Sequence, residues 1–269
     1  MSETPTAGAA AVRELSVVLP AYNEEANIER VVRQVIAYLE PMHIDYEIVP
    51  VNDGSADRTR EILQALEREN ARVRPQDHPQ NRGYGAALRT GFDAAVKRYV
   101  FYMDGDGQFD IKDLDSLLPL ASEDVIVTGF RIERRDPFMR RLNARLFGGW
   151  LVRVMLGVYV KDLNCAFKLI PKRVFETITL DSTGALINAE LYGRAIRAGF
   201  GIREVGVHHY PREAGVQTGA HLSVIVRAFY DLFRLRQQII STQPKRVERR
   251  SDSGEEGKDR DDKRDRKGA

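Results

Sequence analysis

The sequence predicts an α/β fold, a mostly parallel sheet with helices on both faces. Two observations carry that prediction. Short β-branched runs alternate with segments whose apolar residues recur at helical spacing, and polar, turn-forming clusters follow three of the runs, where a parallel sheet presents its carboxyl ends. The expected strands are Leu15–Leu19, Tyr46–Val51, Arg72–Asp77, Tyr99–Met103 and Asp124–Thr128. The expected helices Glu24–Leu39, Asp57–Glu69 and Tyr84–Lys97 lie between them, giving a βαβαβαβ array. Beyond Gly129 the alternation breaks into a basic, largely helical stretch. An apolar run at Ala166–Ile170, a helix near Asn188–Ala198 and a strand near Gly201–His208 follow it.

With 269 residues, 43% of them hydrophobic, the chain can bury one sizeable core. The expected organisation is a flexible tail over 1–13, an α/β domain over 14–221, an amphipathic helix over 222–243 and a disordered charged tail over 244–269. A net charge of +2 argues against a nucleic-acid binder, which would carry a clear basic excess. Cys165 is the one cysteine, so no internal disulfide and no all-cysteine metal site can form, which fits a reducing cytoplasm. No stretch offers the roughly 18 apolar residues in succession that a spanning helix needs. Leu142–Val160 and Leu222–Ile240 are apolar on one face only and read as surface-lying or core-capping helices.

Asp104-Gly105-Asp106-Gly107-Gln108 carries the strongest chemical signal, because it directly follows the apolar run Val100–Met103. Two carboxylates at alternate positions suit a hard cation such as Mg²⁺ or Mn²⁺ that also grips phosphate oxygens, and the Gln108 amide can complete the protein's share of ligands. An ordinary Asx turn is the bland alternative. Asp53, after the second strand, stands where acidic residues bond a ribose or base in nucleotide-binding sheets. Asn81-Arg82-Gly83-Tyr84-Gly85 precedes the third helix and is placed to bring backbone amides or Arg82 to a donor. It matches neither the dinucleotide fingerprint nor the P-loop. His208 and His209 are adjacent strand residues facing opposite ways and cannot both ligate one ion, and Cys165 reads as a small buried side chain.

Taken in order, Leu19-Pro20-Ala21-Tyr22-Asn23-Glu24, Val51-Asn52-Asp53-Gly54-Ser55, Asn81-Arg82-Gly83 and Asp104–Gln108 resemble family-two glycosyltransferases of the GT-A fold. The likeness is greatest to dolichol-phosphate mannose synthases and bacterial polyprenyl-phosphate glycosyltransferases, and covers roughly Leu15 to Leu222. Gly129-Phe130-Arg131, Asp162–Lys168 and Asn188-Ala189-Glu190 resemble the family's acceptor-side blocks. The resemblance implies an inverting transfer of mannose or glucose from a nucleotide-diphosphate sugar to polyprenyl or dolichyl phosphate, dependent on Mg²⁺ or Mn²⁺. It further implies that Pro20, Tyr22, Asn23, Glu24 and Asp53 cradle the nucleoside and that Asp104 binds its ribose or phosphate side. Asp106 and Gln108 would hold the cation, with Arg131, Lys168 and Arg212 near the acceptor phosphate or the departing diphosphate. Lys168 stands where an arginine is common, and 212–218 lacks the usual following lysine, so the sugar and the acceptor stay open.

A phosphate-monoester acceptor is mostly ionised near neutrality and needs little help from a base. If the acceptor is instead a hydroxyl on a soluble saccharide or protein, Asp162 or Glu190 is the candidate base. A nucleotide-sugar-binding protein without turnover is the reading from a different functional class. Arg131, Arg134, Arg135, Arg140, Arg141, Arg145 and Arg153 flank an apolar stretch and suit anionic headgroups. They point to a peripheral position on the cytoplasmic membrane face, where a membrane-embedded partner protein is a further expectation.

Overall fold

The computed structural model describes residues 12–132, 152–211 and 222–241. In chain order its main elements are β1 (Glu14–Ala21), α1 (Ile28–Leu39), β2 (Asp45–Asn52), α2 (Thr59–Glu69), β3 (Gln76–Asp77), α3 (Tyr84–Ala94), β4 (Tyr99–Met103) and β5 (Val125–Arg131). After them come α4 (Val152–Leu156), β6 (Phe167–Pro171), α5 (Lys172–Thr177), α6 (Ile187–Arg197), β7 (Gly201–Val207) and α7 (Leu222–Ser241).

Among the described residues the strands form one sheet in the order β3-β2-β1-β4-β6-β5-β7. β1 and β4 are buried along nearly their whole length, which is what a parallel strand covered on both faces requires and why β4 reads as an unbroken apolar run and β1 as one interrupted only by Ser16 after its first residue. α1 buries Ile28, Val31, Val32, Val35 and Leu39, the stripe of a helix seated on a core. β6 alone runs antiparallel to its neighbours β4 and β5. The carboxyl ends of β1, β2, β4, β5 and β7 therefore share one rim with the amino end of β6.

Three elements differ from the sequence expectation. The strand expected over Arg72–Asp77 shrinks to Gln76–Asp77, with an isolated bridge from Val73 to Ile48, because Pro75 lacks the N–H that would continue the ladder. The first helix starts at Ile28 instead of Glu24 because Asn23 takes a left-handed backbone (φ 56°) and 23–25 form a loop. Residues 12 and 13, expected in the tail, belong to the fold: Val12 is buried in the core and the Arg13 carbonyl accepts from the Asp45 N–H at 2.8 Å. Of the expected amphipathic segment 142–160, residues 142–151 lie outside the described residues, as do the tail over 244–269 and Arg134, Arg135, Arg140, Arg141 and Arg145. α7 packs on α4 and α6 through Leu232, Leu235 and Ile239. Among the described residues no helix is long and apolar enough to cross a membrane.

Candidate active site

The rim is tied together from strand to strand. The Asp53 N–H donates to the Ala21 carbonyl (2.9 Å), the His78 N–H to Asn52 (2.9 Å) and the Gly105 N–H to Pro20 (3.2 Å). The β1 and β2 loops are stitched to each other as well: the Asn23 N–H donates to Ser55 Oγ, Ala56 N–H to Asn23 Oδ1 and Glu24 N–H to Thr59 Oγ1. Asn23 and Glu24, expected to touch a nucleoside, therefore spend bonds on holding the two loops together, and Glu24 is buried while accepting from Asn27 Nδ2 at 2.9 Å. Pro20 contributes its carbonyl to the same frame. Tyr22 is 43% exposed and presents its ring at the rim.

Asp53 is closed off more than its sequence position suggested. Its carboxylate accepts from the Arg82 N–H (2.8 Å), the Gly83 N–H (2.9 Å) and His78 Nδ1 (2.7 Å). The backbone amides of 82–83, expected to face a ligand, are thus taken by Asp53, while the Arg82 side chain stays exposed. Gly83 adopts φ +96°, and a Cβ there would stand 2.6 Å from the Thr183 carbonyl, so the loop tolerates only glycine at this point.

Asp104 and Asp106 leave β4 into this rim. Tyr84 Oη donates to Asp104 Oδ1 at 3.0 Å, and Asp106 Oδ1 accepts from the Gln108 N–H at 3.1 Å. Burial, and then the neighbouring Asp106 charge, push the Asp104 carboxyl well above the usual carboxylate range. Two crowded carboxylates of hard oxygen character fit a divalent cation, which would offset both charges. Among the described residues no three His, Cys, Asp or Glu side chains cluster for an ion, so most of such an ion's shell would come from diphosphate oxygens and water. Gln108 donates its amide Nε2 to the Tyr210 carbonyl (2.9 Å), and the Tyr210 N–H returns a bond to the Gln108 carbonyl (2.8 Å). The Asp104–Gln108 loop is thereby clasped to the chain leaving β7.

On the β5 and β6 side, Arg131 forms a two-pronged pair with Asp162: Nε to Oδ2 at 2.7 Å and Nη2 to Oδ1 at 3.0 Å, with side-chain exposures of 17% and 5%. Lys168 is fully buried, donates Nζ to the Cys165 carbonyl, and lies 5.1 and 5.4 Å from the Tyr102 and Tyr192 ring centres. Burial pulls its ammonium down to about 8. Its side chain lies beneath the rim, where its charge acts on Asp104. Glu190 is also fully buried and accepts from the Asp181 and Ser182 N–H groups and from Arg194 Nε. That geometry orders the 181–183 turn, whose Thr183 carbonyl accepts from the Gly85 N–H at 2.8 Å. Arg212 lies outside the described residues. Cys165 is buried, and burial lifts its thiol to about 12. His208 bonds Asp113, and the ring of His209 packs edge-on against Phe109.

The sequence reading missed His78 and Tyr84. His78 sits in no motif that marks it, and Tyr84, although inside the glycine-rich 81–85 stretch, was given no role there; it opens the helix after the glycine turn and reaches back to Asp104.

The chain spans about a third of one curated relative and two thirds of another. It is 34% identical over 219 residues to glycosyltransferase AglD of Haloferax volcanii, covering 77% of this chain and 35% of that one. To the undecaprenyl-phosphate 4-deoxy-4-formamido-L-arabinose transferase of Edwardsiella ictaluri it is 30% identical, covering 82% of this chain and 67% of the relative. The glucosyl-3-phosphoglycerate synthase of Mycobacterium tuberculosis, solved with uridine diphosphate, superposes with a TM-score of 0.58 at 21% identity, covering 84% of this chain and 80% of the other. The same synthase has been solved with Mn²⁺ and UDP-glucose. The fold is thus the GT-A type, with β6 as the one reversed strand among the described residues. The family model described as Glycosyl transferase family 2 matches residues 16–183, and the chain belongs to that family.

Proposed function

We propose that this protein transfers a hexose from a nucleotide-diphosphate sugar to a polyprenyl phosphate, with inversion, at the cytoplasmic face of a membrane. The observation that carries the reading is the pair Asp104 and Asp106 at the end of β4, on the same rim as Tyr22, Arg82 and the Arg131–Asp162 pair. The name of the Edwardsiella relative, an undecaprenyl-phosphate sugar transferase, supports the acceptor class. The Mn²⁺ and UDP-glucose complex of the Mycobacterium synthase supports the donor and the cation.

In this reading Tyr22 covers the nucleoside base, and Asp53 shapes that pocket through the 82–83 loop. Asp106 and Gln108 would hold Mg²⁺ or Mn²⁺, and Asp104 would take the ribose or phosphate side. When bound, the cation offsets negative charge that develops on the departing diphosphate. Arg131 adds a guanidinium that Asp162 keeps in one orientation, so the pair is already arranged before the charge develops. Asp162 then orients Arg131 instead of removing a proton, in keeping with an acceptor phosphate already ionised near neutrality. Glu190 supports the 181–183 turn. Arg212 remains a candidate phosphate ligand.

The test incubates the full chain with radiolabelled GDP-mannose, UDP-glucose and related donors, polyprenyl phosphate and Mn²⁺, followed by organic extraction. Metal-dependent label in the lipid phase supports the proposal; label only on added soluble saccharide, or none anywhere, overturns it. Vesicle flotation tests the location: joint neutralisation of Arg140, Arg141 and Arg145 is expected to weaken binding to anionic vesicles, and equal flotation would remove those arginines from the account.

A further inference from the structure

We infer that His78 is a positioning residue for the nucleotide donor, acting through Asp53 on the Arg82–Gly83 turn; this rests on the donor site proposed above. His78 follows β3, and its side chain is only 4% exposed, as is that of Asp53. Its two ring nitrogens have different partners: Nδ1 stands 2.7 Å from Asp53 Oδ1 and Nε2 stands 2.9 Å from Thr90 Oγ1 in α3. Both oxygens of Asp53 already accept backbone N–H groups from Arg82 and Gly83. The hydrogen between His78 and Asp53 is therefore on Nδ1, and in that tautomer Nε2 accepts the hydroxyl hydrogen of Thr90.

The consequence is a one-way line of support. Thr90 fixes the ring, the ring fixes the Asp53 rotamer, and Asp53 fixes the two amides that set the turn. Gly83 has no slack in this turn, pressed against the Thr183 carbonyl with a positive φ. Arg82 is the exposed cation carried by the turn, so a change of the Asp53 rotamer re-aims a guanidinium on the same rim as Asp104. Any buried imidazole needs partners at its ring nitrogens; what distinguishes His78 is that one of them is the Asp53 carboxylate that also holds the Arg82 and Gly83 amides.

Two near-isosteric substitutions separate the two bonds. The amide nitrogen of His78→Asn falls near the Nδ1 position and still donates to Asp53; that of His78→Gln falls near Nε2, loses the bond to Asp53 and can only donate to the Thr90 hydroxyl oxygen. Binding of UDP and GDP, each with Mn²⁺, is measured by calorimetry on the full chain, with urea unfolding of each variant alongside. H78N is expected to bind within about threefold of the parent. H78Q is expected to bind about tenfold more weakly, the scale of one lost hydrogen bond to a charged group. Asp53→Asn, which leaves the ring in place, should reproduce the H78Q loss and serves if H78Q does not fold. Equal affinities for H78N and H78Q, or losses that track unfolding stability alone, would overturn the inference. If the parent itself binds neither nucleotide, the donor-site reading fails first, and this inference with it.

Discussion

Glu47 offers a test of the scaffold that leaves the site untouched. It lies in β2 toward the amino ends of the strands, with its carboxylate 5% exposed. Oε1 accepts from Ser16 Oγ at 2.6 Å and from the Val96 N–H at 2.7 Å, and Oε2 accepts from the Arg74 guanidinium. Burial alone would raise its pKa, but these donors outweigh it and hold the carboxyl below its ordinary value. Glu47→Gln keeps the shape and removes the charge. Two charge-assisted bonds become neutral ones, at about 1 kcal/mol each, and the half-exposed Arg74 loses its partner, at about 0.2–1 kcal/mol. An amide NH₂ facing the guanidinium adds part of an unsatisfied-donor penalty, so the expected loss at pH 7 is about 2–4 kcal/mol.

The sign of the pH dependence follows from the lowered pKa. Stability from Glu47 is fully present above the unfolded-state carboxyl pKa, about 4.3, and drains as pH falls through the lower folded value. Urea unfolding of parent and variant at a series of pH values from 7 to 3 checks this. The gap between them should be widest near neutrality and narrow in acid, with nucleotide binding unchanged at pH 7. A gap independent of pH, or no gap at all, would refute the reasoning.

Two further outcomes test packing and the rim. Gly91→Ala places a Cβ 2.3 Å from Val18 Cγ1 and 3.2 Å from Val51 Cγ2, both in buried strands under α3. Overpacking of about 1–3 kcal/mol should outweigh the helix gain of about 1 kcal/mol, so a higher urea midpoint for the variant would contradict the packing described. Asp162→Ala leaves the Arg131 guanidinium without its carboxylate. It is expected to cost about 3–5 kcal/mol in urea unfolding, and Asp162→Asn, which keeps one acceptor, should cost less; equal costs would mean that the kept acceptor contributes nothing and would contradict the expected order.

Much of the fold could be read from the chain because β1, β2 and β4 are short runs dominated by apolar, largely β-branched or aromatic residues and α1 keeps a regular buried stripe. The direction of β6 could not, since Phe167–Pro171 reads as a buried strand in either sense and only its pairing to β4 reveals the reversal. Pro75 was a visible signal against a six-residue third strand, and the short β3 follows from it. The Asp104–Gln108 loop was legible because chemistry and position agreed. The environments of Asp53, Lys168 and Glu190 were not: each is a charged residue made internal by partners on other segments, His78, the Tyr102 and Tyr192 rings, and the 181–182 amides of the turn before α6. Charge alone suggests a surface role for such residues, and only tertiary contacts show that they brace the loops around the site.

The central proposal is that Asp106 would hold a cation shared with a nucleotide diphosphate. Calorimetric titration of UDP and GDP into the full chain, with and without Mn²⁺, tests it on the parent and on Asp106→Ala. The parent should bind its preferred nucleotide at least about tenfold more tightly with Mn²⁺, a coupling of about 1.4 kcal/mol, and the variant should show no such gain. An equal Mn²⁺ effect in both proteins would contradict the assignment.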